Sequence, residues 1–75
     1  MYFLIYRLGT VLHKRIFPDY TSWNTILDSF KGIVVELFKN DRLSERDFNN
    51  LFSVTRRDFM VCVKNGTTFN VMDGY

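Results

Sequence analysis

Between Trp23 and Phe38 the apolar residues recur with helical spacing. On a wheel of 3.6 residues per turn, Ile33, Ile26, Leu37, Phe30, Trp23, Val34, Leu27 and Phe38 fall within one arc of roughly 140° that holds no polar residue. The opposite face carries Asn24, Asp28, Lys31, Glu36 and Lys39, with Val35 stranded among them. This spacing predicts an amphipathic helix from about Ser22 to Lys39. Pro18 disfavours helix at Phe17, and Asp19, Thr21 and Ser22 are all competent N-caps for a helix starting just after them.

A shorter helix is expected over roughly residues 45 to 53. Ser44 can cap it, Asp47 occupies the capping-box position, and Leu43 can staple onto Phe48. Its apolar edge is Phe48, Leu51 and Phe52. At the N-terminus, residues 2 to 17 are rich in β-branched and aromatic types with Gly9-Thr10 as punctuation, which predicts one strand to about Leu8 and allows a second from Val11. Alternation in the first strand separates Tyr2, Leu4, Tyr6 and Leu8 from Phe3, Ile5 and Arg7, so it is apolar on both sides.

The closing stretch, DFMVCVKNGTTFNVMDGY at residues 58 to 75, reads as a β-hairpin turning at Asn65-Gly66. A type I′ turn there pairs Lys64 with Thr67, and the resulting register puts Met60, Cys62, Phe69 and Val71 on one face. The other face then carries Phe59, Val61, Val63 and Met72, diluted by Thr68 and Asn70.

Together these elements predict an α+β fold in the order β(β)ααββ, a single domain over 1–75. A small antiparallel or mixed sheet, made of the N-terminal strand or strands and the closing hairpin, packs on one long and one short helix. Two helices cover one side of such a sheet. A partly apolar second face is left over, unless residues 10 to 20 fold back across it, and exposed patches of that kind mark association sites.

Composition narrows the functional classes. Seventy-five residues bury only about 60–65% of the surface the unfolded chain exposes, which leaves little core volume for a cofactor cavity. The chain is 47% hydrophobic and 17% aromatic, which excludes a disordered tail. A net charge of +2 argues against an acidic nucleic-acid mimic and falls short of a dense basic face. One cysteine, Cys62, cannot form an internal disulfide, so an intracellular, cytoplasmic setting is the simplest expectation. The apolar run YFLIY is interrupted at Arg7 and is too short to span a bilayer, so no membrane role is expected, and the Asn65-Gly66-Thr67 sequon reads as a turn. The absence of Ala and Gln beside abundant Phe, Tyr, Ile, Asn and Lys is the bias of AT-rich coding.

Chemistry-bearing residues are sparse. Cys62 and His13 are the sole thiol and imidazole, and no orienting third group or oxyanion motif accompanies them, so Cys62 reads as a small packing residue. No ligand spacing for a metal and no glycine-rich phosphate loop is legible, and the acidic residues sit beside basic ones or at helix starts, so neither cofactor nor catalytic residue is assigned. The densest basic clusters are His13-Lys14-Arg15 and Arg56-Arg57, with Arg7 as a neighbour. With Tyr2, Tyr6 and Phe59 on the sheet they would make a surface for single-stranded nucleic acid, although the RRM aromatic pattern is missing.

The leading expectation is a non-enzymatic protein that binds a partner protein, or a second copy of itself, by occupying a surface. Its candidate contact residues are Tyr20, Phe59, Val61, Val63, Met72, Arg56 and Arg57. A reading frame this short and AT-biased suits a viral or mobile-element accessory protein that modulates a host factor. The alternative expectation is a small single-stranded nucleic-acid-binding domain using the basic and aromatic sheet residues.

Overall fold

The computed structural model describes residues 1–73, with side chains described through Val71. The order of elements is β1 (Tyr2–Gly9), β2 (Val11–Phe17), α1 (Trp23–Lys39), α2 (Glu45–Phe52), α3 (Arg56–Lys64) and β3 (Thr68–Asp73). The class is α+β, with a three-stranded mixed sheet in the order β2-β1-β3. β1 is central, antiparallel to β2 and parallel to β3.

The first two strands form a tight hairpin because Leu8 pairs with Val11 across the two residues Gly9 and Thr10. Gly9 takes φ +63, and positive φ at the first loop position alone is the pattern of a type II′ turn, which suits the twist of the flanking strands. α1 starts where the cap predicts: Ser22 Oγ accepts from the Thr25 N–H at 3.2 Å. α2 is capped in the same way by Ser44, which accepts from the Asp47 N–H at 3.2 Å.

The closing segment differs from the hairpin expected over 58–75. Residues 56–64 are helix α3, and only 68–73 form a strand, which pairs in parallel with β1. Two features of the chain produce this. Thr55 Oγ1 accepts from the Asp58 N–H at 3.2 Å and starts a helix, satisfying an amide that would otherwise be orphaned. At the other end, Gly66 at φ +70 donates to the Val63 carbonyl at 3.1 Å and Thr67 donates to the Cys62 carbonyl at 2.9 Å. That pair of bonds is a Schellman motif, so Asn65-Gly66 ends a helix instead of turning a hairpin. Residues 74 and 75 of the expected hairpin lie outside the described residues.

The change of element redistributes side chains. Phe59 and Val63, expected together on an uncovered sheet face, lie four apart on a helix and are both buried in the core. Val61 points outward from α3 and is 53% exposed. Met60 and Cys62, expected on the core face, are half-buried on α3. Met72 belongs to β3, and its side chain lies outside the described residues.

The core is one cluster in which Leu4 and Tyr6 of β1 and Val71 of β3 meet Ile26, Leu27, Phe30, Val34 and Leu37 of α1 and Phe59 and Val63 of α3. Leu43 is buried there too, with Phe48 and Leu51 of α2 packed against the cluster. At its centre Phe30, Phe59 and Phe69 form a triangle with ring centroids 4.8 to 5.4 Å apart.

The same helix-ending motif occurs after α1, where Asp41 donates to the Phe38 carbonyl and Arg42 to the Leu37 carbonyl. There the left-handed position is held by Asp41 at φ 56. The pair supplies a matched prediction. Gly66→Ala is expected to cost about 1–2 kcal/mol through backbone strain alone, since a Cβ at Gly66 would meet nothing within 4 Å. Asp41→Gly has the opposite expected sign, a gain of a few tenths to about 1 kcal/mol. Thermal melts of the two variants check both.

Candidate interaction surfaces

The buried faces of α1 and α3 share one cluster with the sheet face that carries Tyr2, Leu4, Tyr6, Leu8, Phe69 and Val71, and α2 packs on that cluster through Phe48 and Leu51. The opposite, outer face is built from alternate residues: Phe3, Ile5 and Arg7 of β1, Leu12, Lys14 and Ile16 of β2, and Thr68 and Asn70 of β3. Residues 10 to 20 do not cross it. They extend the sheet as β2 and then turn through Pro18–Thr21 into α1.

The outer face is therefore open and largely apolar. Leu12 is 61% exposed and Ile16 59%, Phe3 is exposed and Ile5 is half-buried. Register places Phe3 beside Ile16, Ile5 beside Lys14 and Arg7 beside Leu12. The Lys14 ammonium lies 4.2 Å above the Phe3 ring, an arrangement in which the ring's electron-rich face attracts the cation. Among the residues whose side chains are described, this face carries two cations, Arg7 and Lys14, and no carboxylate.

A second surface lies on α3. Arg56, Arg57, Met60, Val61 and Lys64 recur at spacings of one, three and four and line a shallow hollow of about 460 Å³ on the side of the helix away from Phe59 and Val63. Arg56 Nη1 donates to Asn24 Oδ1 at 3.3 Å, and the Lys64 ammonium sits 5.7 Å from the Trp23 ring centroid, so this basic stripe runs beside the start of α1.

Apart from Met72, whose side chain lies outside the described residues, the candidate contact residues separate into three groups. Arg56, Arg57 and Val61 come together on the α3 stripe, and Phe59 and Val63 are lost to the core. Tyr20 stands alone in the loop before α1, 90% exposed. No family model, curated protein or solved structure matches this chain. Its surfaces have to be read from their own geometry.

The rings and cations expected to form a surface for single-stranded nucleic acid do not share one face. Tyr2 packs on Trp23 at 4.6 Å between centroids, Tyr6 is buried and stacks on His13 at 5.1 Å, and Phe59 is in the helical core. These rings face inward, while Arg7 and Lys14 face outward and Arg56 and Arg57 belong to α3. Among the described residues Phe3 is the one ring on the outer face, and Lys14 lies over it.

His13 and Cys62 sit on β2 and α3 with no described hydrogen bond between them. Among the described residues no three His, Cys, Asp or Glu side chains group as metal ligands, and no helix is long and apolar enough to cross a membrane. Leu12 and Ile16, exposed on the outer face, are not among the residues that the sequence singles out, because the apolar run at 59–63 carries the stronger pattern. The usable signal was Gly9-Thr10: accepting a two-residue hairpin there fixes the register and pairs Leu12 with Arg7 and Ile16 with Phe3.

Proposed function

We propose that this protein is a non-enzymatic binding module that acts by occupying a surface of a partner protein through the outer face of its sheet. The observation that carries the proposal is the unpartnered apolar patch of Phe3, Leu12 and Ile16 on a face that no helix covers. Nine large apolar residues are exposed among those described, and three of them, Phe3, Leu12 and Ile16, share this one face. The charges favour a partner over a second copy. Packing two such faces about a two-fold axis near Arg7 and Lys14 would bring these cations of one molecule toward the same cations of the other, with no carboxylate between them among the residues whose side chains are described.

The test is a comparison of wild type with the Leu12→Asn/Ile16→Asn double variant. Both positions are exposed, so the variant is expected to keep its melting behaviour within about 0.5 kcal/mol of wild type per site. Light scattering should find both proteins monomeric. A protein captured by the wild type from its native cell, then purified, should form a stoichiometric complex with wild type and bind the variant at least about tenfold more weakly, a loss of about 1.4 kcal/mol or more. Equal binding of wild type and variant, or a wild-type dimer that the substitutions dissolve, would remove the outer face as the partner site.

A further inference from the structure

The partner chemistry can be taken one step further, on the premise that the outer face is the binding surface. We propose that the open edge of β2 takes up an extended segment of the partner as a fourth strand, and that this segment is acidic at its centre with apolar flanks.

Three observations converge on this edge. The first is that β2 is the terminal strand of the sheet, and none of the loop hydrogen bonds among the described residues reaches residues 11–17. The second comes from the hairpin register. A two-residue loop closes on a hydrogen-bonded pair, Leu8 with Val11, and antiparallel pairs then alternate, so His13, Arg15 and Phe17 exchange bonds with β1. The N–H and C=O groups of Leu12, Lys14 and Ile16 consequently point away from β1, toward the open edge. These three residues also carry the β2 side chains of the outer face, so one strand offers backbone hydrogen bonds and exposed apolar contact together. Added strands draw affinity from main-chain bonds and specificity from alternate side chains.

The third observation is the charge order along the strand. β2 reads Val11, Leu12, His13, Lys14, Arg15, Ile16, Phe17, with basic residues in the middle and apolar residues at both ends. Lys14 lies on the outer face, and His13 and Arg15 on the inner one. Opposite charges facing each other across strands are stabilising and like charges are destabilising. A second copy pairing antiparallel about Lys14 would put Lys14 opposite Lys14, with Arg15 one residue to either side. The cations thus guard the edge against self-association. A strand with three consecutive carboxylates meets them on both faces of the sheet, and its apolar flanks fall beside Leu12 and Ile16.

The probe is a synthetic peptide with the core Val-Ile-Glu-Asp-Glu-Ile-Val between polar flanks, titrated into the full chain and followed by amide exchange and chemical shift. In the free protein the amide protons of Leu12, Lys14 and Ile16 should exchange fast and those of His13, Arg15 and Phe17 slowly. Saturation with the acidic peptide should slow the first three by at least about tenfold. Raising the salt should weaken binding. Lys14→Glu/Arg15→Glu should reverse the preference toward a peptide whose acidic triplet is replaced by lysines. Absence of binding at millimolar peptide overturns the proposal, as does binding that survives the charge reversal. Binding without protection of those three amides overturns strand addition and leaves the outer face intact as a partner site. Conversely, loss of partner discrimination by the Leu12→Asn/Ile16→Asn variant sinks the face itself. Uptake of the protein by phosphatidylserine vesicles in place of the peptide would reassign the basic edge to a lipid surface and overturn the proposal.

Discussion

Phe59→Ala is expected to cost about 3–5 kcal/mol, and Val61→Ala, two residues along, less than about 0.5 kcal/mol. Phe59 is fully buried, and its ring centroid lies 5.4 Å from those of both Phe30 and Phe69. Truncating it removes the transfer energy of the ring and leaves a cavity that two neighbouring rings cannot close without tilting. A chain of 75 residues has a total stability of roughly 4–11 kcal/mol. The substitution therefore removes roughly a quarter of that stability at least, and a protein at the lower bound of the range would be left within about 1 kcal/mol of its unfolding midpoint. Val61 stands on the outside of the same helix, where Ala is the better helix former, so its truncation is close to neutral. Urea denaturation of the two variants checks this as a large shift in midpoint for one and almost none for the other, with unchanged slope. Equal losses at 59 and 61 would contradict a helix there, because residues two apart share a face in a strand and not in a helix.

That contrast also explains what the sequence conceals. Phe59 to Val63 is an unbroken apolar run, and an unbroken run satisfies a period of 2.0 and a period of 3.6 equally well. Asn-Gly is a strong hairpin signal and also a strong helix terminator, since both uses require a residue at ease with positive φ. What separates them is at the other end of the segment: Thr55-Arg56-Arg57-Asp58 has the Ser/Thr-x-x-Asp/Glu form of a helix start. The fold class, α1, α2 and the first strand were legible because each rests on signals that do not conflict. In α1 the periodic arc and the Ser22 cap agree, and in α2 Ser44, Asp47 and the Phe48 edge agree.

The site was legible only as a surplus. Counting helices against sheet area correctly anticipates an uncovered sheet face, because that argument depends on how much apolar surface there is and not on which strand carries it. Naming its residues depends on strand pairing, which is a long-range property. With 58–63 in a helix, Phe59 and Val63 lie in the core and the exposed sheet positions fall on β2, whose Leu12 and Ile16 flank three basic residues in a stretch that otherwise resembles a solvated edge. Arg57 and Val61 come together through four-residue spacing on helix α3, with Arg56 beside them.

Phe30→Ala is the companion prediction, with an expected loss of about 3–5 kcal/mol. Phe30 is 1% exposed and is the one α1 residue whose ring meets both Phe59 of α3 and Phe69 of β3. Phe69→Ala should cost less, about 3 kcal/mol at most, because its side chain is only half-buried. Their rings are 4.8 Å apart and tilted by 45°, a geometry that contributes about 0.5–1.5 kcal/mol beyond burial, so the double variant should be less destabilised than the two single losses added together. Strict additivity would mean that Phe30 and Phe69 fill the core independently. The consequence for the sheet is specific, because β3 pairs with β1 alone, on the side away from β2. With Phe69 truncated, β3 should open before the rest of the molecule and lose exchange protection first, while the His13, Arg15 and Phe17 amides hold. The acidic peptide should still add to β2 in that variant, since the hairpin that presents the edge is closed by its own turn and held to the core through Leu4 and Tyr6.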